Sequence, residues 1–217
     1  MSPLQLIIGN KNYSSWSLRP WLAMKRAKIE FEEILIPLYR PDTDERLKKL
    51  SPSGKVPVLK DGETLIWESL AIGEYLAEKF PEKHLWPKDP STRALARAVA
   101  SEMHAGFADL RSECPFNARR DPKPISLSAG AQKDVRRVQQ IWKNLRDSFG
   151  GRGPFLFGEF SYADAMFAPV AFRFHHYAVP VSPEAKAYME TLFTLPEVKD
   201  WVEAGRHEVW VIPASEK

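Results

Sequence analysis

Gly54-Lys55-Val56-Pro57-Val58-Leu59-Lys60-Asp61-Gly62-Glu63-Thr64-Leu65-Ile66-Trp67-Glu68-Ser69 is the stretch that decides the fold. It holds two short apolar runs, residues 56–59 and 64–67, on either side of Asp61-Gly62. Asp-Gly supplies the positive backbone φ that a tight turn between strands needs, so the runs read as an antiparallel hairpin. Pro57 cannot donate to a ladder, which puts it at a strand start or edge. A cis Val56-Pro57 bond would instead turn the Val56 backbone outward to pair with an extended peptide, and the sequence does not select the isomer. After Trp67, the residues Ile72, Tyr75, Leu76 and Phe80 share one face of a helix over about residues 69–80. Glu68 and Ser69 suit its first turn as plain caps. They also suit a ligand group carrying both charges, the Ser69 amide and hydroxyl facing a carboxylate and Glu68 an ammonium, as on an α-amino acid head.

Upstream, residues 4–8 read as a buried strand, residues 9–15 as a polar loop, and Leu18, Trp21 and Leu22 as the apolar face of a helix. Residues 31–36 form a second strand candidate, and Pro41, Asp42 and Asp44 open a short helix ending near Leu50. Two strands flanking a helix imply a parallel pair with a right-handed crossover. The order is βαβ, a helix, then ββα.

Downstream, residues 81–90 hold three prolines and several charges and mark a linker between a first domain, 1–80, and a second, 91–217. Leu95, Val99, Met103, Phe107 and Leu110 keep one helical stripe, and Val135, Val138, Trp142, Leu145 and Phe149 keep another. Between them, residues 114–128 have three prolines and no periodicity, the pattern of a mobile loop. Glycines at 150–153 end the second helix, and Ser161-Tyr162-Ala163-Asp164 opens a further one, with Ser161 as cap and Asp164 at the third position. The second domain is expected to be all helical.

Composition narrows the function. The chain has 217 residues, 44% hydrophobic and 27% charged, with 31 Lys plus Arg against 28 Asp plus Glu. A net charge of +3 is too small for a nucleic-acid footprint. One cysteine, Cys114, excludes an internal disulfide, a Cys-x-x-Cys redox pair and multi-cysteine zinc sites. Cys114 opens a proline-rich loop far from residues 9–15 and reads as a bystander. His175-His176 point apart on a helix with no carboxylates around them, so no metal is expected. Arg119-Arg120 and Arg136-Arg137 read as solvated surface, and the tryptophans as core or site walls. With no leader pattern and no run of 18 apolar residues, a cytoplasmic protein without membrane partners is expected.

The remaining feature is Asn12-Tyr13-Ser14-Ser15-Trp16-Ser17-Leu18-Arg19, where a strand gives way to a helix. A serine there commonly caps the helix. Its hydroxyl can equally donate to an anion, aided by the positive end of the helix dipole.

Taken in order, the serine loop, Gly54-Lys55-Val56-Pro57-Val58-Leu59, Glu68-Ser69-Leu70-Ala71-Ile72 and Ser161-Tyr162-Ala163-Asp164-Ala165 resemble the glutathione transferases over essentially the whole chain. Ser14-Ser15-Trp16-Ser17-Leu18-Arg19 most resembles the Ser-Ser-Cys-x-x-Arg motif of the zeta class, the maleylacetoacetate isomerases, with Trp16 replacing the cysteine. The resemblance implies a thioredoxin-like glutathione-binding domain followed by a helical bundle, and a homodimer. It implies that Ser14, or else Ser15 or Ser17, holds the glutathione sulfur as thiolate. Val56, beside Pro57, would pair with the cysteinyl unit, Glu68 and Ser69 with the γ-glutamyl head, and Lys55 with the glycine carboxylate. A small hydrophobic electrophile would sit between the domains near Trp16, Met103, Phe107, Arg111 and Arg173, although Met103 and Phe107 read first as helix core. The arginine that holds substrate carboxylate in the isomerases falls near His176, with Arg173 one turn earlier. A thiol of pKa near 8.5 needs its value lowered by about 2 units, or roughly 2.7 kcal/mol, within reach of a hydroxyl donor and a helix N-terminus. The competing expectation is a transferase-like fold kept as a binding or regulatory module.

Overall fold

The computed structural model describes residues 3–217. Its first part is a four-stranded sheet of order β2-β1-β3-β4, built from β1 (Gln5–Ile8), β2 (Glu32–Leu35), β3 (Val58–Asp61) and β4 (Thr64–Trp67). β1 and β2 are parallel across the connection through α1 (Ser15–Arg26), with Gln5 opposite Glu32. β3 runs antiparallel to both β1 and β4, and the Asp-Gly turn sets Asp61 opposite Thr64. The two remaining helices of this part are α2 (Thr43–Leu50) and α3 (Ser69–Lys79). This is the βαβ, helix, ββα order read from the sequence, and it is the thioredoxin-like domain that the resemblance implies.

Strand alternation assigns the two faces of the sheet. Leu6, Ile8 and Leu59 join the main core with Leu18 and Leu22 of α1 and Ile72 and Leu76 of α3. Ile7, Ile36 and Val58 pack on the other side with Leu47 of α2.

Six helices follow: α4 (Pro90–Ala105), α5 (Ala108–Glu113), α6 (Ala129–Phe149), α7 (Tyr162–His176), α8 (Pro183–Thr194) and α9 (Pro196–Arg206). The single stripe expected over residues 95–110 is two helices. α4 ends at Gly106, where a Cβ would sit 2.8 Å from the Glu102 carbonyl, and Phe107 adopts the left-handed region at φ 59° before α5 restarts. Phe107 and Leu110 still return to the core, so the spacing survives the break, whereas Leu95 is exposed.

The segment 114–128 has no regular structure, as expected, yet it is tied down. Ala118 N–H donates to the Asn12 carbonyl at 2.9 Å, Arg119 N–H to Asn12 Oδ1 at 2.8 Å, and Lys123 N–H to the His176 carbonyl at 3.1 Å. Phe116 and Ala118 are buried. Residues 81–90 also differ from a plain exposed linker: Leu85 and Trp86 are buried, and the Leu85 carbonyl accepts from Tyr162 N–H at 2.7 Å.

α7 is the spine of the helical part, buried along nearly its whole length. Its capping box forms as the sequence predicts. Asp164 accepts from Ser161 N–H at 2.8 Å, Leu156 N–H at 3.0 Å and the Tyr188 hydroxyl at 3.0 Å. Tyr162, in the first turn of α7, makes two of the contacts that join it to the sheet part. The Tyr162 hydroxyl donates to the Ser69 carbonyl, and its ring lies so close to Gly73 that no Cβ fits there.

Candidate functional site

The loop after β1 is held in shape from three directions. Lys11 and Asn12 N–H donate to the two Glu208 oxygens at 2.6 and 3.1 Å, Asn10 Oδ1 accepts from Leu38 N–H at 2.8 Å, and the 114–119 segment closes on Asn12. α1 therefore starts from a fixed cap. Ser14 is the N-cap, its Oγ accepting from Ser17 N–H at 3.3 Å and lying 2.7 Å from Ser17 Oγ. Ser17 Oγ also accepts from Gly9 N–H at 3.1 Å, and its side chain is fully buried. Ser15 Oγ accepts from Arg173 Nη2 at 3.2 Å.

Two adjoining cavities meet at Trp16. The larger, about 510 Å³, brings Ser14 and Ser15 together with Tyr13, Leu38, Tyr39 and Arg40, and is closed partly by Ile212 and Ser215 of the C-terminal segment. The smaller, about 230 Å³, is lined by Ser53, Pro57, Glu68, Ser69 and His104. Trp16, Lys55 and Val56 line both. The Val56-Pro57 bond is cis. Val56 precedes β3, and among the described residues its N–H and C=O carry no backbone hydrogen bond.

At the far end, Glu68 has φ 67° and Ser69 begins α3. Ser69 Oγ is buried without a hydrogen-bond partner among the described residues. A hydroxyl left so at a helix N-terminus is suited to a carboxylate, which it and the first-turn amides can satisfy together. The Glu68 carboxylate lies 3.4 Å from His104 Nε2. Burial lowers the His104 pKa, opposed by Glu68 and reinforced by Arg19 and Arg111.

Behind Trp16 lies a cluster of arginines. The Arg19 guanidinium stacks 3.9 Å from the Trp16 ring centroid and donates to the Met166 carbonyl at 3.1 Å. Arg111 approaches the same ring at 5.2 Å, and the His104 ring meets it edge-on at 5.3 Å. Arg173 donates to the Cys114 carbonyl, and to the Arg111 carbonyl at 3.3 Å. Burial, then repulsion from Arg173 and Arg111, brings Arg19 down to about 9, and burial brings Arg173 down to about 10. Among the described residues none of the three has a carboxylate within ion-pair distance.

The structure thus gathers Ser14, Ser15, Trp16, Lys55, Val56, Pro57, Glu68 and Ser69 along one groove, and leaves Ser17 beneath it. Met103 is in the core, and Phe107 and Arg111 line neither cavity. Arg173 reaches the serine loop from behind. His176 lies elsewhere, lining a separate cavity with Phe172 and Phe193, and burial pushes its pKa down to about 4. His104, Tyr39, Arg40 and Ile212 are lining residues that sequence reasoning missed. The Tyr13 hydroxyl is engaged elsewhere, donating to Glu216 and accepting from Arg119 Nη2 at 2.7 Å. Burial pushes the Cys114 thiol up to about 11, which suits a bystander. Among the described residues there is no cluster of three metal-ligating side chains, and no helix is long and apolar enough to cross a membrane.

Comparison with known proteins supplies the family. Residues 13–79 match the glutathione S-transferase N-terminal domain and residues 93–204 the glutathione S-transferase C-terminal domain. A probable maleylacetoacetate isomerase of Caenorhabditis elegans is 38% identical over 98 residues, which span 45% of each chain. The maleylacetoacetate isomerase of Rattus norvegicus is 30% identical over 78% of this chain and 77% of its own. A stringent starvation protein A homolog of Haemophilus ducreyi is 28% identical over 88% of this chain and 86% of its own. Among solved structures, a glutathione transferase homolog from Burkholderia with bound glutathione superposes with a TM-score of 0.71 at 25% identity, over 94% of this chain and 98% of that one. The chain belongs to the glutathione S-transferase family.

Proposed function

We propose that this chain is a glutathione transferase that binds glutathione along the groove, activates its thiol as thiolate and adds it to a small hydrophobic electrophile. The observation that carries the reading is one line of polar groups that face the two cavities. Ser69 Oγ and the α3 N-terminus stand at one end, the free Val56 backbone in the middle, and the Ser14 and Ser15 hydroxyls at the other. A γ-glutamyl peptide matches that order: its α-carboxylate meets Ser69, its ammonium Glu68, its cysteinyl amide Val56, and its sulfur the serines. Lys55 lines both cavities and can meet the glycine carboxylate. The dipole of α1 and a serine hydroxyl lower the thiol pKa, and the proton leaves to water. The electrophile would lie against Trp16, Tyr39, Leu38 and Ile212 in the larger cavity. The domains divide at residues 81–90, and the working form is a cytoplasmic homodimer.

The isomerase reading rests on the relatives so named. Against it stand Trp16 in place of the motif cysteine and the site of His176 outside the groove. Rapid turnover of maleylacetoacetate or a maleyl analogue would reinstate it. The regulatory reading rests on the Haemophilus relative, and the complete set of groove residues weighs against it.

Calorimetric titration with millimolar glutathione, followed by an assay with a generic aromatic electrophile, tests the proposal. Saturable heat and thioether formation are expected. Folded protein that gives no heat refutes it.

A further inference from the structure

The serine loop offers two hydroxyls to the larger cavity, and their hydrogen bonds are not equivalent. A serine has one O–H to donate and two lone pairs to accept with. Ser14 Oγ and Ser17 Oγ, 2.7 Å apart, share a hydrogen bond in which either can donate. If Ser14 donates, its O–H is spent inside the protein. Ser15 has no such alternative: its Oγ accepts from Arg173 Nη2 at 3.2 Å, and a guanidinium can only donate. Among the described residues the Ser15 O–H has no acceptor, and its side chain lines the cavity.

Charge adds to geometry. Arg173 is buried, is held by the Arg111 and Cys114 carbonyls, and among the described residues has no carboxylate within ion-pair distance. Hydrogen bonds from an ionised donor polarise the acceptor, so a Ser15 hydroxyl that accepts from Arg173 is a better donor to an anion beyond it. The titratable and charged groups around this corner are Arg19 of α1, His104 of α4, Arg111 of α5 with Asp134 acting on it, and Cys114 and Tyr177 beside Arg173 of α7, with Glu68 across the smaller cavity and Arg40, Asp44 and Lys55 on the wall of the larger.

Resting on the proposed binding of glutathione, we infer that Ser15 is the hydroxyl that holds the thiolate, and that Arg173 is its positioning residue, orienting and polarising Ser15 from behind. Arg173 does not touch the sulfur. It fills one Ser15 lone pair, which leaves the O–H pointing into the cavity. The thiol loses its proton to bulk water, and no bond to the protein forms.

The test follows the ultraviolet absorbance of bound thiolate against pH in the native chain, Ser14→Ala, Ser15→Ala, Arg173→Met and the Ser15→Ala/Arg173→Met double variant, with glutathione affinity measured alongside by calorimetry. The apparent pKa of the bound thiol should rise by about one unit in Ser15→Ala, rise comparably in Arg173→Met, and rise no further in the double variant. Ser14→Ala should move it less. An unmoved value in Ser15→Ala overturns the inference even if Arg173→Met fails to fold, and so do additive shifts in the double variant. Absence of glutathione binding to the native chain sinks both this inference and the transferase proposal. Binding with an unmoved thiol pKa in both single variants sinks this inference alone.

Discussion

The two ends of the groove are built on different plans. The end at Glu68 and Ser69 comes from one turn of chain, where β4 gives way to α3, and its Ser69 hydroxyl stands without a partner among the described residues, ready for a charged head. The serine end is assembled from the whole molecule: α1 supplies the hydroxyls, α7 the guanidinium behind Ser15, and the C-terminal segment part of the outer wall. The first plan suits holding a ligand tightly, and the second suits tuning a proton. Substitutions at one end should therefore change affinity with little effect on the thiol, and those at the other should do the reverse.

The largest expected effect comes from the joint on which the head end rests. Gly73→Ala forces a methyl group into the Tyr162 ring and pushes α3 from α7. We expect a loss of about 3 kcal/mol in stability, read from denaturant unfolding, with weakened glutathione binding. A neutral result would mean that α3 shifts freely and that the head end is not rigidly framed.

Next, Glu68→Ala removes the partner of the ligand ammonium. Glutathione Kd should rise about 30-fold, equivalent to about 2 kcal/mol, while the thiol pKa of the bound fraction stays put. A shift in both would break the division between the ends.

At the serine end, Ser15→Ala should cost about 1.4 kcal/mol in thiolate preference for one unit of pKa, with Kd at neutral pH changing about threefold or less. Stopped titrations of absorbance against calorimetry separate the two quantities.

The smallest effect is a pH dependence at the head end. Burial holds the His104 pKa below its ordinary 6.5, so the stability its neutral form contributes is present above that value and is lost as pH falls through the folded-state pKa. A protonated His104 would also compete with the ligand ammonium for Glu68. Glutathione affinity should weaken about threefold as pH falls through the folded-state pKa of His104, and His104→Gln should flatten that fall. An unchanged slope in His104→Gln would assign the pH dependence to another group.

The sheet half was legible because its signals are local. Asp61-Gly62 sets a hairpin, Ser14 caps α1, and Glu68-Ser69 marks a strand-to-helix junction, so each can be read from a few neighbours. The break between α4 and α5 was hidden because Phe107 and Leu110 keep core-facing positions on both sides of it, and spacing alone cannot register a left-handed residue. The fixed 114–128 segment was hidden for another reason. Its anchors are Asn12 and His176, far away in sequence, and a proline-rich stretch looks the same whether it is tied or free. His104 and Arg173 share that difficulty, since only packing brings them to Glu68 and Ser15. Met103 and Phe107 fit a helix face in sequence, and of their two readings the structure takes the core one.

The most direct measurement is a crystal structure with glutathione bound. The account predicts the γ-glutamyl carboxylate at Ser69 and the α3 N-terminus, the cysteinyl amide on Val56, and the sulfur within hydrogen-bond distance of Ser15 Oγ, with Arg173 still behind it. Glutathione bound in the reverse direction, or with its sulfur away from Ser15, would contradict it.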